Sequence, residues 1–281
     1  MVKDFILGIK SYIRAIKFIH KHNFWIYFIF PVIIFIFIYH VGFYFKDLTD
    51  DFKAHEDAGF FLNIWYFFVA GIFTVLSYMF LNFIRYIIIL LMSPLLSIIS
   101  QRTERILTGN KYNFNLIQLI KDVKRALNLI IRNLIWEFVI IGVVIIISFK
   151  ILKIILPFDD SIIDMARSTI LTVVAFYYYG FGFIDYIMER LRLNLKESVR
   201  FVRKHIGFAI ALGAVFTPLF HYTNKYLYSL RDNVEGWLYI VVLIICATIM
   251  AIVPIVSMVA ATIGINELVD LSNNPYAKKD N

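Results

Sequence analysis

Lys10, Arg14, Lys17 and Lys21 follow one another at intervals of four, three and four residues, the spacing that sets side chains in one row along an α-helix. Ile6, Ile9, Ile13, Ile16 and Ile19 cover another face of that helix. Two readings of the row compete. In the first, some of these cations collect an anion at the cytoplasmic mouth of a membrane pathway, where fixed cations raise the local anion concentration. In the second, the helix lies in the membrane interface and its long cationic side chains extend to anionic lipid phosphates. A further basic helix is predicted over 195–205, with Asn194 as its cap and Glu197 three residues on, the pattern of a capping box. Its Lys196, Arg200 and Arg203 or Lys204 share a face that turns to lipid headgroups or contacts an anion. Upstream, Asp185, Glu189 and Arg192 are spaced to pair on one helix face.

Ionisable residues inside apolar runs are costly and mark pathways or boundaries. Arg85 interrupts the long run 60–99, and Glu137 follows Arg132 and Trp136 at the start of another. Each is read either as a charge of the pathway or as a boundary group: Arg85 snorkelling to the interface, Glu137 ion-paired one turn from a cation. No catalytic residues are assigned, because HExxH, the nucleophile elbow and the phosphate-binding glycine loop are all missing, and Gly180-Phe181-Gly182 lacks a third glycine. The six histidines have no metal-ligand spacing. The one cysteine, Cys246, excludes an intrachain disulfide and reads as a packing residue. Neither metal nor cofactor is expected.

The elements that hold these charges are apolar to a degree soluble domains do not reach: 60% of residues are hydrophobic and 17% charged. A bilayer crossing needs about 20 helical residues. About six runs suit one, at 24–45, 60–81, 134–149, 169–184, 206–220 and 237–253. Basic and acidic connections alternate between them. The N-terminus, the third connection (Arg102 to Arg125) and the fifth (Arg190 to Lys204) are basic, whereas Asp47 to Asp57 and Asp159 to Asp164 are acidic. The positive-inside rule therefore puts both termini in the cytoplasm. The net charge of +8 follows from anchoring to anionic lipid on that side, with no nucleic-acid partner required. Residues 1–270 read as one polytopic domain and 271–281 as a polar tail. The first 23 residues lack a cleavage site and are expected to stay. Two runs, 169–184 and 206–220, are short for a crossing, so hairpins that enter the bilayer part way are an alternative. Gly207 with Ala211, and Ala260 with Gly264, offer small-residue faces for close helix contact, the kind a homo-oligomer uses.

Two segments resemble a known family. Met92-Ser93-Pro94-Leu95-Leu96, followed by Glu104, Leu107, Thr108 and Gly109, is similar to a segment of the CysZ-like sulfate permeases, which are grouped with the eukaryotic etoposide-induced membrane proteins. Residues 252–257 and 260–264, around Pro254 and Gly264, resemble that family's C-terminal segment. The resemblance implies an all-helical inner-membrane protein with cytoplasmic termini, two long spanning helices, part-way hairpins, oligomers and sulfate uptake. The family's sulfate-contacting Gly-Leu-Arg aligns with Ala15-Ile16-Lys17. Here alanine limits approach of an anion to the backbone, and lysine lacks the forked donor, but Lys17 and neighbouring Arg14 keep the charge, and the resemblance implies that these two residues bind the anion.

The sequence therefore reads as an all-α integral protein of a bacterial inner membrane that passes an inorganic oxyanion, sulfate being the first candidate. The alternative is a scaffold or biogenesis protein that binds lipids or partners through its basic faces without transporting anything.

Overall fold

The computed structural model describes residues 1–53, 60–82, 84–112, 116–147, 160–231, 236–274, 276, 278 and 279. Helix follows helix: α1 (Val2–Lys21), a 3-10 helix (Phe24–Phe28), α2 (Ile29–Lys53), α3 (Phe60–Asn82), α4 (Ile84–Leu91), α5 (Ser93–Thr108), α6 (Leu116–Ile146), α7 (Asp160–Arg190), α8 (Leu195–Lys204), α9 (Ile206–Arg231) and α10 (Trp237–Leu268). Extended structure among the described residues is a two-residue antiparallel ladder, β1 (Asn110–Lys111) with β2 (Lys278–Lys279), pairing Asn110 with Lys279. Among the described residues, six helical stretches are long and apolar enough to cross a membrane: Phe24–Lys53, Phe61–Tyr78, Val123–Ile146, Ser161–Arg190, Ile206–Arg231 and Trp237–Leu268. The chain is an all-α, multi-pass membrane protein.

The helices outrun the apolar segments that announce them. α9 has 26 residues, about 39 Å of helix against a hydrocarbon core of about 30 Å. It continues through Pro218 into polar turns. α7 likewise has 31 residues. The shortness that suggested part-way hairpins is thus a property of the apolar runs and not of the helices. Glu56, Asp57 and Asp159, three of the acidic residues behind the topology, lie outside the described residues.

Contacts group the chain into two compact units. One comprises Met1–Tyr27, Ser93–Tyr222 and Val253–Asn281. Its core is aromatic: the buried Phe216 ring lies 5.3 Å from Phe183, 5.5 Å from Tyr179 and 4.7 Å from Phe220. Small residues bring the helices together. A Cβ on Gly180 of α7 would overlap the carbonyl oxygen of Ala209, and one on Gly213 of α9 the carbonyl of Phe176, so the two helices touch backbone to backbone. Gly8 of α1 abuts Ala211, and Gly264 of α10 abuts Phe208 and Ser11. Gly207 stands against the Met1 carbonyl, and Ala260 is fully buried. The small-residue faces expected to serve between chains are consumed within one chain, and they supply no argument for an oligomer.

The other unit comprises Phe28–Met92 and Thr223–Ile252. There α2 and α3 interleave aromatic rings, Phe45 with Phe73 at 6.0 Å and Phe52 with Phe73 at 5.6 Å, and Gly42 lets Leu81 close on the α2 backbone. Arg231 donates to both Asp47 oxygens at 2.5 and 2.6 Å. Its guanidinium also lies 4.3 Å from the Phe43 ring centre, so the charge is held by a carboxylate and an aromatic face together.

Candidate anion-contacting surface

α1 is divided lengthwise into three faces. Gly8, Ser11, Tyr12, Ala15 and Ile19 are buried. Ile6, Ile9, Ile13 and Ile16 are exposed, as are Lys10, Arg14, Lys17 and Lys21. At 100° per residue these sets occupy successive sectors of the helix, so one sector docks on the protein, the next is apolar and uncovered, and the third is cationic. Of the expected apolar face, Ile19 alone turns inward.

The docked sector is locked by Tyr12, whose hydroxyl donates to the Leu212 carbonyl at 2.6 Å and lies 2.7 Å from Ser257 Oγ. Burial pushes the phenol well above its ordinary value of 10.0. A raised folded pKa means that this group's contribution is full below pH 10 and is lost as pH rises above it, because the unfolded chain then releases a proton the folded chain holds. Tyr112, also raised by burial and then by Glu104, acts with the same sign. Tyr12→Phe should cost about 1–3 kcal/mol at neutral pH. It should also flatten part of the fall in thermal stability above pH 10, measured by unfolding in detergent across that range.

Arg14 and Lys17, the two residues expected to bind an anion, do not stand alike. Arg14 is ion-paired with Glu267 of α10, both half-exposed. Lys17 is exposed and without an ion pair among the described residues. Ala15, aligned with the glycine of the family motif, is fully buried. α1 therefore presents to solvent Lys17 with Lys10 and Lys21, and an Arg14 whose charge is already partly balanced. Arg85 lies in α4, its side chain outside the described residues, and Glu137 is half-buried on α6 within the span Val123–Ile146.

On α8 the capping box is complete: Asn194 Oδ1 accepts from the Glu197 amide at 3.0 Å, and Glu197 Oε2 accepts from the Asn194 amide at 2.8 Å. The pairing expected among Asp185, Glu189 and Arg192 is replaced by a longer-range one. Arg125 of α6 grips Asp185 through Nε at 3.0 Å and Nη2 at 2.8 Å, and Ser198 of α8 donates to Asp185 Oδ1 at 2.5 Å. Arg192 has φ 54° and turns away, 4.3 Å over the Tyr276 ring. A side chain 60 residues away in the chain outcompetes the local partner because it brings a two-pronged guanidinium to a buried carboxylate.

Glu104, known from the sequence only as part of a motif, gathers three polar side chains, Arg190, Asn110 and Tyr112. It is fully buried. Its Oε2 accepts from Arg190 Nε at 3.0 Å and is ion-paired with Nη2 at 2.8 Å. Oε1 accepts from Asn110 at 3.0 Å and from the Tyr112 hydroxyl. Asn110 also donates to the Leu271 carbonyl at 2.7 Å, and Asn274 donates to Tyr112 at 2.8 Å. The reason for the motif is visible in this arrangement. Thr108 and Gly109, at φ 78°, end α5 and turn the chain so that Asn110 and Tyr112 return to the carboxylate.

A sequence model of the family described as sulfate transporter CysZ/etoposide-induced protein 2.4 matches residues 11–222, well over half of the chain. The chain belongs to this CysZ/etoposide-induced family. The matched stretch of the family member takes in the buried sector of α1 from Ser11, the Glu104 turn, the Arg125–Asp185–Ser198 cluster and α9 as far as Tyr222. The second motif segment, around Pro254, lies beyond it. Comparison of the family member with curated proteins finds no match.

Proposed function

We propose that this CysZ-family protein passes an inorganic oxyanion, sulfate first among the candidates, across a bacterial inner membrane, with both termini cytoplasmic. The family's description as a sulfate transporter is the observation that carries the reading. Six helices able to cross a membrane support it, and so does the exposed cationic sector of α1, whose Lys17 attracts the anion while Arg14 is shared with Glu267. No ATP-binding motif is present in the sequence, so passage is passive or ion-coupled. A homo-oligomer and binding of anionic lipid complete the proposal. A second reading, a non-transporting lipid-binding scaffold, is favoured by one observation: the uncovered isoleucine sector adjoins the cations, as in a helix lying in the interface.

Sulfate uptake into liposomes containing the purified protein separates the two. Transport predicts uptake above protein-free vesicles. Arg14→Ala/Lys17→Ala should lower it by about 1 kcal/mol per charge removed if the cations only steer, an effect that shrinks at high salt. A direct, dehydrated contact should cost about 1.5–3 kcal/mol and survive salt. Unmodified uptake by the double variant at low and high salt would make α1 a lipid anchor only.

A further inference from the structure

We infer that Arg132 and Arg203, with Tyr177 interacting with both, form a site for a tetrahedral oxyanion where α6, α7 and α8 meet; the inference deepens the transport reading, on which it rests for the anion's role. Arg125, Arg190, Arg167 and Arg231 have the carboxylate partners Asp185, Glu104, Asp164 and Asp47, and Arg192 lies over the Tyr276 ring. Arg132 and Arg203 differ. They lie within electrostatic reach of one another, and neither is ion-paired with a carboxylate among the described residues.

Arg132 stands nine residues into the span Val123–Ile146, about 14 Å along the helix. An ionisable group at such a position is expensive without a purpose. Its Nη2 donates to Asn133 at 3.0 Å and its guanidinium lies 5.0 Å from the Phe181 ring centre, yet its buried Nε has no hydrogen-bond partner. A buried donor left unmade is a costly state that a bound acceptor relieves. Arg203, exposed on α8, hydrogen-bonds Tyr177, which also interacts electrostatically with Arg132. Asp185 lies within electrostatic reach of Arg132 as well, but its two oxygens already accept from Arg125 and Ser198. Those same bonds hold α8 against α7 and fix the place of Arg203. Two like charges brought together, with a buried N–H of Arg132 left unused, form a cationic set whose neutral acceptors, Asn133 and Tyr177, leave its charge unbalanced. A sulfate or phosphate group supplies the balancing charge, with oxygens for guanidinium N–H groups on both sides.

The source of the oxyanion is either a free inorganic anion or a lipid phosphate, and two arms separate them. In detergent, titration of delipidated protein with sodium sulfate, at constant ionic strength set with chloride, should give saturable binding. Arg132→Gln and Arg203→Gln should each weaken it at least tenfold, and Arg203→Lys should fall between, retaining charge without the fork. Arg203 is at the surface, so its variants keep the thermal stability of the parent even if Arg132→Gln does not fold. In lipid discs, with phosphatidylglycerol as the probe, loss of lipid binding in the same variants while the detergent titration is flat assigns the site to a headgroup. Full binding of both probes by folded Arg203→Gln, or of neither probe by the unmodified protein, overturns the inference. If the variants lose sulfate binding while the unmodified protein carries no sulfate into liposomes, the site stands and the transport reading falls. If uptake occurs and the variants bind as the parent does, the reverse holds.

Discussion

Glu104→Ala should destabilise the protein by about 3–5 kcal/mol, the cost of removing one partner from a buried ion pair and leaving the other charge in place. The size follows from what the carboxylate holds. Glu104 is fully buried and Arg190 nearly so, and Asn110 and Tyr112 would lose their acceptor in the same step. Thermal unfolding in detergent, followed by loss of the monodisperse peak on size exclusion, measures it. The double variant Glu104→Ala/Arg190→Met is the sharper comparison. With no orphaned charge, it should be more stable than Glu104→Ala alone, since the pair's own net contribution is small once desolvation is counted. A single variant within about 1 kcal/mol of the parent would show that water reaches the site and solvates Arg190.

Gly180→Ala and Gly213→Ala should each cost about 1–3 kcal/mol through overpacking, with the two effects less than additive because both push the same helices apart. In each case the new methyl group meets a backbone carbonyl of the facing helix, which cannot swing aside as a side chain can. Close approach of this kind is what small residues supply to helices in lipid, where water gives no apolar driving force between them. Gly182 is the internal control: a Cβ there meets nothing within 4 Å. Gly182→Ala should be neutral or gain up to about 1 kcal/mol from helix propensity. Equal melting temperatures for all three variants would disprove the backbone contact.

The membrane class, the helical content and the α8 capping box are legible in the sequence because each is a short-range pattern. An apolar run, a hydropathy period and an Asn-x-x-Glu spacing all act within a few turns. The ends of the long helices are not, since α9 extends to Arg231 through His221, Tyr222 and Lys225. Hydrogen bonding in a helix already under way carries it past the apolar part. The partners of the charges are least legible. Arg14 meets Glu267 across 253 positions and Arg125 meets Asp185 across 60, and no local spacing encodes either. For Asp185 the spacing points to Arg192, but Arg192 takes a positive φ just past the end of α7 and its side chain leaves that face. The glycines were visible as small residues, but whether a small residue faces its own chain or another is settled only by the path of the backbone.

The turn after α5 also sets a timetable. Glu104 acquires Arg190 only after 86 further residues have been made, roughly 4–17 s later at ~5–20 residues per second. Asn110 waits 161 residues for the Leu271 carbonyl, and Tyr112 waits 162 for Asn274. Until Arg190 is made, the nascent chain carries a carboxylate destined for a dry interior with its cationic partner not yet in existence. Insertion of the early spans thus precedes closure of this cluster, and a chain stalled before residue 271 would hold its membrane helices with Asn110 and Tyr112 still lacking their last partners.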